Sequence, residues 1–202
     1  MGTRGLIVVC VVWAVVVGAG FALLYIYKAR PGSSGTPAAQ WPADTRLALD
    51  RTRPNLVMLA HPQCPCTRAS VAELARLIAR VGDRVRAHVL FVKPDGVDAS
   101  WQDTDLWRSA AAIPGVTVGV DELGEEARRF GIETSGHVLL YDATGALQFR
   151  GGITSSRGHE GDSFGQRRIV ALLTTQTPDR ADAPVFGCNL FDSNVRRSTE
   201  SP

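Results

Sequence analysis

The 202-residue sequence has almost no charge imbalance, with 22 basic against 20 acidic residues, and no basic run interleaved with aromatics. It therefore lacks the electrostatic footprint of a nucleic-acid-binding protein, and nucleic acid is not an expected partner. Cysteine is scarce. The four residues, at positions 10, 64, 66 and 188, are too few and too uneven for a disulfide-dense scaffold. They read as one site, Cys64 with Cys66, and two outliers. No internal repeat is present. The length suits one domain with a sizeable core and short accessory segments.

Charge is missing altogether from Gly5 to Tyr27, GLIVVCVVWAVVVGAGFALLYIY. About 20 apolar residues are enough for a helix to cross the hydrocarbon core, so residues 5–27 are expected as a transmembrane helix after a short tail, residues 1–4. A cleaved signal peptide would have a shorter apolar region, roughly 7 to 15 residues, ending in a small-x-small site. Ala19 to Ala22 (AGFA) is a poor one, which favours an uncleaved anchor. Arg4 and the free amine nearly balance Lys28 and Arg30 across the span. The short tail favours an N-in orientation, which leaves the rest of the chain outside the cytoplasm, on the periplasmic side of a bacterial inner membrane. Cys10 lies inside the span and is expected as an inert small hydrophobe. Residues 28–46, rich in Pro, Gly, Ser and Ala, have little apolar surface and are expected as a flexible linker.

From residue 47 to 176 the pattern is that of an α/β domain. Asn55 to Ala60 (NLVMLA) suits a buried strand, and the two prolines within His61 to Pro65 end it in a tight loop. Thr67 to Val81 then places Val71, Leu74, Leu77, Ile78 and Val81 on one helical face, with Arg68, Glu73, Arg76 and Arg80 elsewhere and Cys66 at the N-terminal edge. Val85 to Val92 reads as the second strand of a parallel βαβ unit. A helix near Asp105 to Ala112, a strand over Val116 to Val120 and a helix around Glu122 to Phe130 follow. His137 to Tyr141 and Ala146 to Arg150 flank Asp142-Ala-Thr-Gly145, a hairpin turn signal. Gln166 to Thr174 closes the domain as a helix, and residues 177–202, which contain Cys188, read as an irregular tail.

The stretch LVMLAHPQCPCTRASVAELARL, followed by a strand and then by GEEARRFGIETSGHVLLYDATGALQFRGG, resembles the thioredoxin-like superfamily, and especially its membrane-anchored, extracytoplasmic redoxin branch of thiol-disulfide oxidoreductases. The resemblance covers roughly residues 50 to 176. It implies a three-layer α/β/α sandwich with a mixed central sheet. It also implies Cys64 as an exposed nucleophile, Cys66 as the resolving residue, and extracytoplasmic thiol or disulfide proteins as partners. Two departures stand out. The pair Cys64-Pro65-Cys66 is one residue shorter than the family's Cys-x-x-Cys, and Ser135-Gly136 replaces the usual cis-proline before the hairpin. The peroxidase pattern, a Thr or Ser three residues before the nucleophile, is not met, since His61 stands there.

The chemistry agrees with that implication. A cysteine attacks as its thiolate, and a helix N-terminus favours negative charge through its unpaired N–H groups and dipole. A Cys-x-Cys disulfide would close a small, strained ring that is easily reduced. No cofactor is required for such exchange. A second reading is a copper-binding or copper-delivery module, because two thiolates one residue apart suit one soft ion and His61 stands three residues before Cys64. A third is a redoxin-like domain whose cysteines do no chemistry. Cys188, in APVFGCNLF, is open between a third redox cysteine, a third metal ligand and an idle thiol. His137 reads as a structural residue at a strand start, and His159 as part of a polar loop before a helix that Asp162 or Ser163 would cap.

Overall fold

A computed structural model describes residues 2–98, 100–175 and 181–191. The chain divides into two units, Met1–Arg30 and Pro31–Pro202. The first is a single helix, α1 (Thr3–Ala29), with no buried residue. Its 27 residues rise about 40 Å at roughly 1.5 Å each, against a hydrocarbon core of about 30 Å. It is long and apolar enough to cross a membrane.

The second unit is built on six strands: β1 (Asn55–Ala60), β2 (Arg86–Lys93), β3 (Val116–Glu122), β4 (His137–Tyr141), β5 (Leu147–Gly152) and β6 (Ala181–Asp182). Their spatial order is β3-β2-β1-β4-β5-β6. The pairs β1–β2 and β2–β3 are parallel, β4 runs antiparallel to both β1 and β5, and β6 is parallel to β5. The sheet is therefore mixed, with β1 near its centre and every residue of β1 buried. A strand covered on both faces needs apolar side chains on both, which explains the continuous run NLVMLA.

Alternation along β1 sends side chains to opposite faces. Leu56, Met58 and Ala60 join one core cluster with Val71, Leu74, Leu77 and Ile78 of α2 (Pro65–Val81), Leu106 and Ala110 of α3 (Asp105–Ala111), and Ile169 and Leu173 of α5 (Phe164–Thr174). Val57 and Leu59 join the other with Phe130, Ile132, Tyr141 and Ala127 of α4 (Glu125–Arg129). Helices thus flank the sheet on both sides. Thr104 caps α3 by accepting from the Trp107 N–H, and Ser163 caps α5 by accepting from the Gln166 N–H.

Two segments differ from the sequence expectation. The stretch expected as a flexible linker is held against the domain from Gly32 onward. The Gly32 N–H donates to the Val185 carbonyl, Trp41 N–H to Gly145, and Leu147 N–H to Ala39, while the Tyr141 hydroxyl donates to the Ala38 carbonyl. Trp41 sits edge-on against Phe130 and Tyr141, at 5.2 and 5.3 Å between ring centroids. One large aromatic and a few satisfied backbone groups do what a periodic apolar face would otherwise do. The region after α5 likewise returns to the sheet as β6 and continues to Phe191, with Val185, Phe186 and Leu190 buried. Residues 176–180 and 192–202, which include the rest of the expected tail, lie outside the described residues.

Candidate active site

The site forms where β1 ends. After Ala60 the chain turns, the Cys64 N–H donates to the His61 carbonyl at 3.1 Å, and Cys64 becomes the N-cap of α2 in extended conformation. Pro65 occupies the first helical position, where a missing N–H costs nothing and a fixed φ suits the helix. Cys66 follows within the same first turn. Both residues therefore stand at the N-terminus of a 17-residue helix, whose dipole favours thiolate.

Cys188 completes the cluster. Its Sγ lies 2.8 Å from the Sγ of Cys64, closer than non-bonded sulfurs ordinarily come, and the three sulfurs of Cys64, Cys66 and Cys188 all lie within 4.8 Å of one another. Cys64 is only 3% exposed, whereas Cys66 and Cys188 are half-buried. The resemblance implied an exposed Cys64; in the structure it is buried, with Cys188 in contact.

That return is fixed by backbone geometry. The Ser135 N–H donates to the Cys188 carbonyl and the Leu190 N–H to the Glu133 carbonyl, each at 2.8 Å. Thr134 and Asn189 form an antiparallel bridge, and Arg157 donates to the Gly187 carbonyl. Gly187 passes so close that a Cβ there would lie 1.9 Å from the Ser135 carbonyl oxygen, so only glycine fits.

Ser135 and Gly136 hold the opposite wall. The Ser135 hydroxyl accepts from the His61 N–H at 2.8 Å and shares a hydrogen bond with the Thr67 hydroxyl at 2.6 Å. Gly136, with φ near +82°, donates its N–H to the Leu59 carbonyl at 2.7 Å. No cis peptide bond occurs among the described residues. The pair thus takes the place of a cis-proline with a trans backbone and a hydroxyl that bridges the ends of β1 and α2.

These contacts split the acidities of the three thiols. The hydrogen bond between Cys64 and Cys188 holds Cys64 down at about 4, against the opposing effect of burial and with help from Thr67. Burial pushes Cys66 up, as does the negative charge of Cys64, and the Arg157 guanidinium pulls the other way. Cys188 is pushed well up by its hydrogen bond to Cys64, then by burial and the neighbouring charges. The cluster therefore favours the thiolate on Cys64 over the thiolates of Cys66 and Cys188.

The candidates marked by the sequence separate accordingly. Cys64, Cys66 and Cys188 converge, while His61 does not join them. Its Nδ1 accepts from the Gln63 N–H at 3.2 Å, and its ring lies edge-on to Trp101 at 5.7 Å. His137 is fully buried at the start of β4, and its ring nitrogens find no hydrogen-bond partner among the described residues. Burial, with a smaller effect from Arg150, lowers its pKa to about 4 and keeps it neutral. His159 stays in an exposed loop.

Nothing in the local sequence pattern marks Thr67 or Glu73 as part of the site, and Ser135 is marked only as a departure from the family's cis-proline. Glu73 falls off the apolar face by spacing, yet it is 1% exposed. It accepts from the Gly161 N–H at 2.6 Å and from Gln166 Nε2 at 2.8 Å, and pairs with Arg76. It thereby ties α2 to the loop that carries Arg157. The polar cluster RGHEGD is the one signal in the sequence for that anchor.

No protein-family model matches this chain, and no curated protein does. Among solved structures it is similar to an uncharacterized conserved protein from Geobacillus kaustophilus, 17% identical, with a TM-score of 0.59 over 82% of this chain and 94% of that one. It is also similar to a hypothetical protein from Sinorhizobium meliloti, 20% identical, with a TM-score of 0.53 over 81% of this chain and 96% of that one. A more remote similarity is to the exposed lipoprotein thioredoxin of Streptococcus pneumoniae, 15% identical, with a TM-score of 0.46 over 69% and 99% of the two chains. The fold is thioredoxin-like. In that fold the adjacent cysteines Cys64 and Cys66 open the helix that follows the central strand β1, as the resemblance in sequence implied.

Proposed function

We propose that this chain is a membrane-anchored thioredoxin-like protein that carries out thiol–disulfide exchange through Cys64 and Cys66 on proteins outside the cytoplasm. The observation that carries the reading is the placement of a low-pKa thiol, Cys64 at about 4, on the N-cap of α2 with two further sulfurs within reach. A thiolate at that position is an effective leaving group and stabilises the reduced state, so the couple is oxidising. Its partners are thiol or disulfide proteins. The anchor is α1, and the domain faces the periplasm of a bacterial cell. The test is a redox titration of the full chain in detergent micelles against glutathione, read by thiol labelling. A reversible two-electron midpoint that Cys64→Ser abolishes is the expected result, and thiols that never cycle would overturn it.

A second reading has one observation in its favour: three sulfurs within 4.8 Å of one another match the donors a soft ion such as Cu(I) selects. The set is Cys64, Cys66 and Cys188, with His61 outside it. Anaerobic titration with Cu(I) would support this reading if one equivalent protected all three thiols and none of them cycled with glutathione.

A further inference from the structure

The sulfur with the properties of a nucleophile or leaving group, Cys64, is 3% exposed, and a partner's sulfur must approach along the line of the bond being made or broken. Against it stands a second cysteine, Cys188, whose position is built rather than incidental. Backbone bonds at Ser135 and Glu133, the bridge at Thr134, the Arg157 contact and the glycine at 187 all converge on residues 187–190. Each fixes the depth or the register of that segment, and the outcome is a sulfur–sulfur distance of 2.8 Å.

Resting on the exchange reading, but with Cys188 in place of Cys66 as the redox partner of Cys64, we propose that the disulfide this chain cycles is Cys64–Cys188, with half-buried Cys188 as the sulfur that meets the partner and Cys64 as the leaving group. Cys66 remains a thiol through the step. This assigns the redox pair across the fold, between the head of α2 and the return that follows β6, instead of within the Cys-Pro-Cys motif. A Cys-x-Cys bridge would have to close a strained small ring, whereas Cys64 and Cys188 already face each other from separate segments.

In the exchange step, a thiolate of a partner dithiol attacks Sγ of Cys188, the Cys64–Cys188 bond breaks, and the electron pair leaves on Sγ of Cys64. The partner's second thiolate attacks its own sulfur in the mixed disulfide, which forms the partner's disulfide and expels Cys188, and Cys188 takes a proton. The partner loses two electrons and two protons. The chain gains two electrons and one proton, and the second proton goes to solvent. Run in reverse, the same path reduces a partner disulfide. The good leaving group is thus the buried sulfur, and the attacked one is the accessible sulfur, which is the combination that speeds exchange.

The deciding experiment is a disulfide map of the oxidised full chain in detergent. Free thiols are blocked with N-ethylmaleimide before digestion, and fragment ions tell label on Cys64 from label on Cys66. The expected result is the Cys64 peptide cross-linked to the Cys188 peptide, with label on Cys66. Cys188→Ser and Cys188→Ala should each lose the two-electron midpoint or move it by at least tenfold in equilibrium constant, about 30 mV. Cys10→Ser should leave the map unchanged. A Cys64–Cys66 bridge with label on Cys188, and an unshifted midpoint in the Cys188 variants, would overturn the proposal and leave thiol–disulfide exchange standing. A chain with neither a disulfide nor a two-electron midpoint would overturn both. Should the variants fail to fold, the map of the unaltered chain decides alone.

Discussion

Cys64 and Cys188 meet at 2.8 Å, yet the two regions that bring them there are held by different physics. Cys64 stands between a strand buried on both faces and a 17-residue helix whose Val71, Leu74, Leu77 and Val81 are each at most 3% exposed. Cys188 lies on an irregular return held by single backbone hydrogen bonds and three buried apolar side chains, Val185, Phe186 and Leu190. Each buried large side chain contributes about 1.5–3 kcal/mol, and a hydrogen bond about 0.5–1.5 kcal/mol. The first region is therefore expected to open only when the domain unfolds, and the second to open locally at lower cost. One site thus has a fixed half and a releasable half. That division keeps the buried sulfur protected while its partner sulfur, on the releasable half, is the one that meets other proteins.

Truncation within the fixed half has the largest expected effect. Leu74→Ala removes a fully buried side chain from the contact of α2 with the sheet and should cost about 2–5 kcal/mol. Urea unfolding of the full chain in detergent, followed by tryptophan fluorescence, measures it. The disulfide map of the molecules that remain folded should not change. A cost below about 1 kcal/mol would mean that the β1–α2 region is not the rigid half.

Substitution in the releasable half should do the reverse. Gly187→Val places a side chain where a Cβ already meets the Ser135 carbonyl oxygen at 1.9 Å, so the return must lift. Alkylation of Cys64 by iodoacetamide in the reduced protein should speed up at least tenfold, which is about 1.4 kcal/mol in the opening equilibrium. Global unfolding should shift less than in Leu74→Ala. Equal losses in both variants would show that the return and the β1–α2 region unfold as one unit, and the comparison would collapse.

The same division explains what the sequence can and cannot reveal. β1 and β4 occupy the residues their apolar runs mark, and α2 begins two residues before the expected Thr67, at Pro65. Side-chain periodicity announces such elements because burial creates it. The placement of Cys64 and Cys66 at the head of α2 is legible for the same reason. The segments 32–47 and 181–191 carry no period, since backbone groups and isolated residues such as Trp41 and Gly187 hold them. Backbone pairing leaves little trace in side-chain identity, so the first reads as a flexible linker and the second as an irregular tail. The partner of Cys64 stands 124 residues away in sequence, beyond any local pattern. His61, near in sequence, turns instead to Trp101.

The pH dependence of the couple is the smallest effect and the sharpest test of how the two halves share a proton. In the reduced protein Cys64 is held at about 4, while its hydrogen bond to Cys64, burial and the neighbouring charges push Cys188 up. Reduction of the Cys64–Cys188 disulfide therefore takes up two electrons and one proton above a pH of about 4, and two protons below it. The midpoint should fall by about 30 mV per pH unit above that point, and twice as steeply below it. The stability of the reduced form follows the same sign. The native Cys64 thiol lies below its unfolded value of about 8.5, so over this range the unfolded chain binds more protons. The stabilisation is complete above the unfolded value and is lost as pH falls through about 4. Raised Cys66 and Cys188 act oppositely, and only above the ordinary thiol range. A slope of about 59 mV per unit at neutral pH would show that Cys64 is an ordinary thiol in the reduced protein. The helix N-terminus and the Cys188 contact would then hold its position without holding its charge.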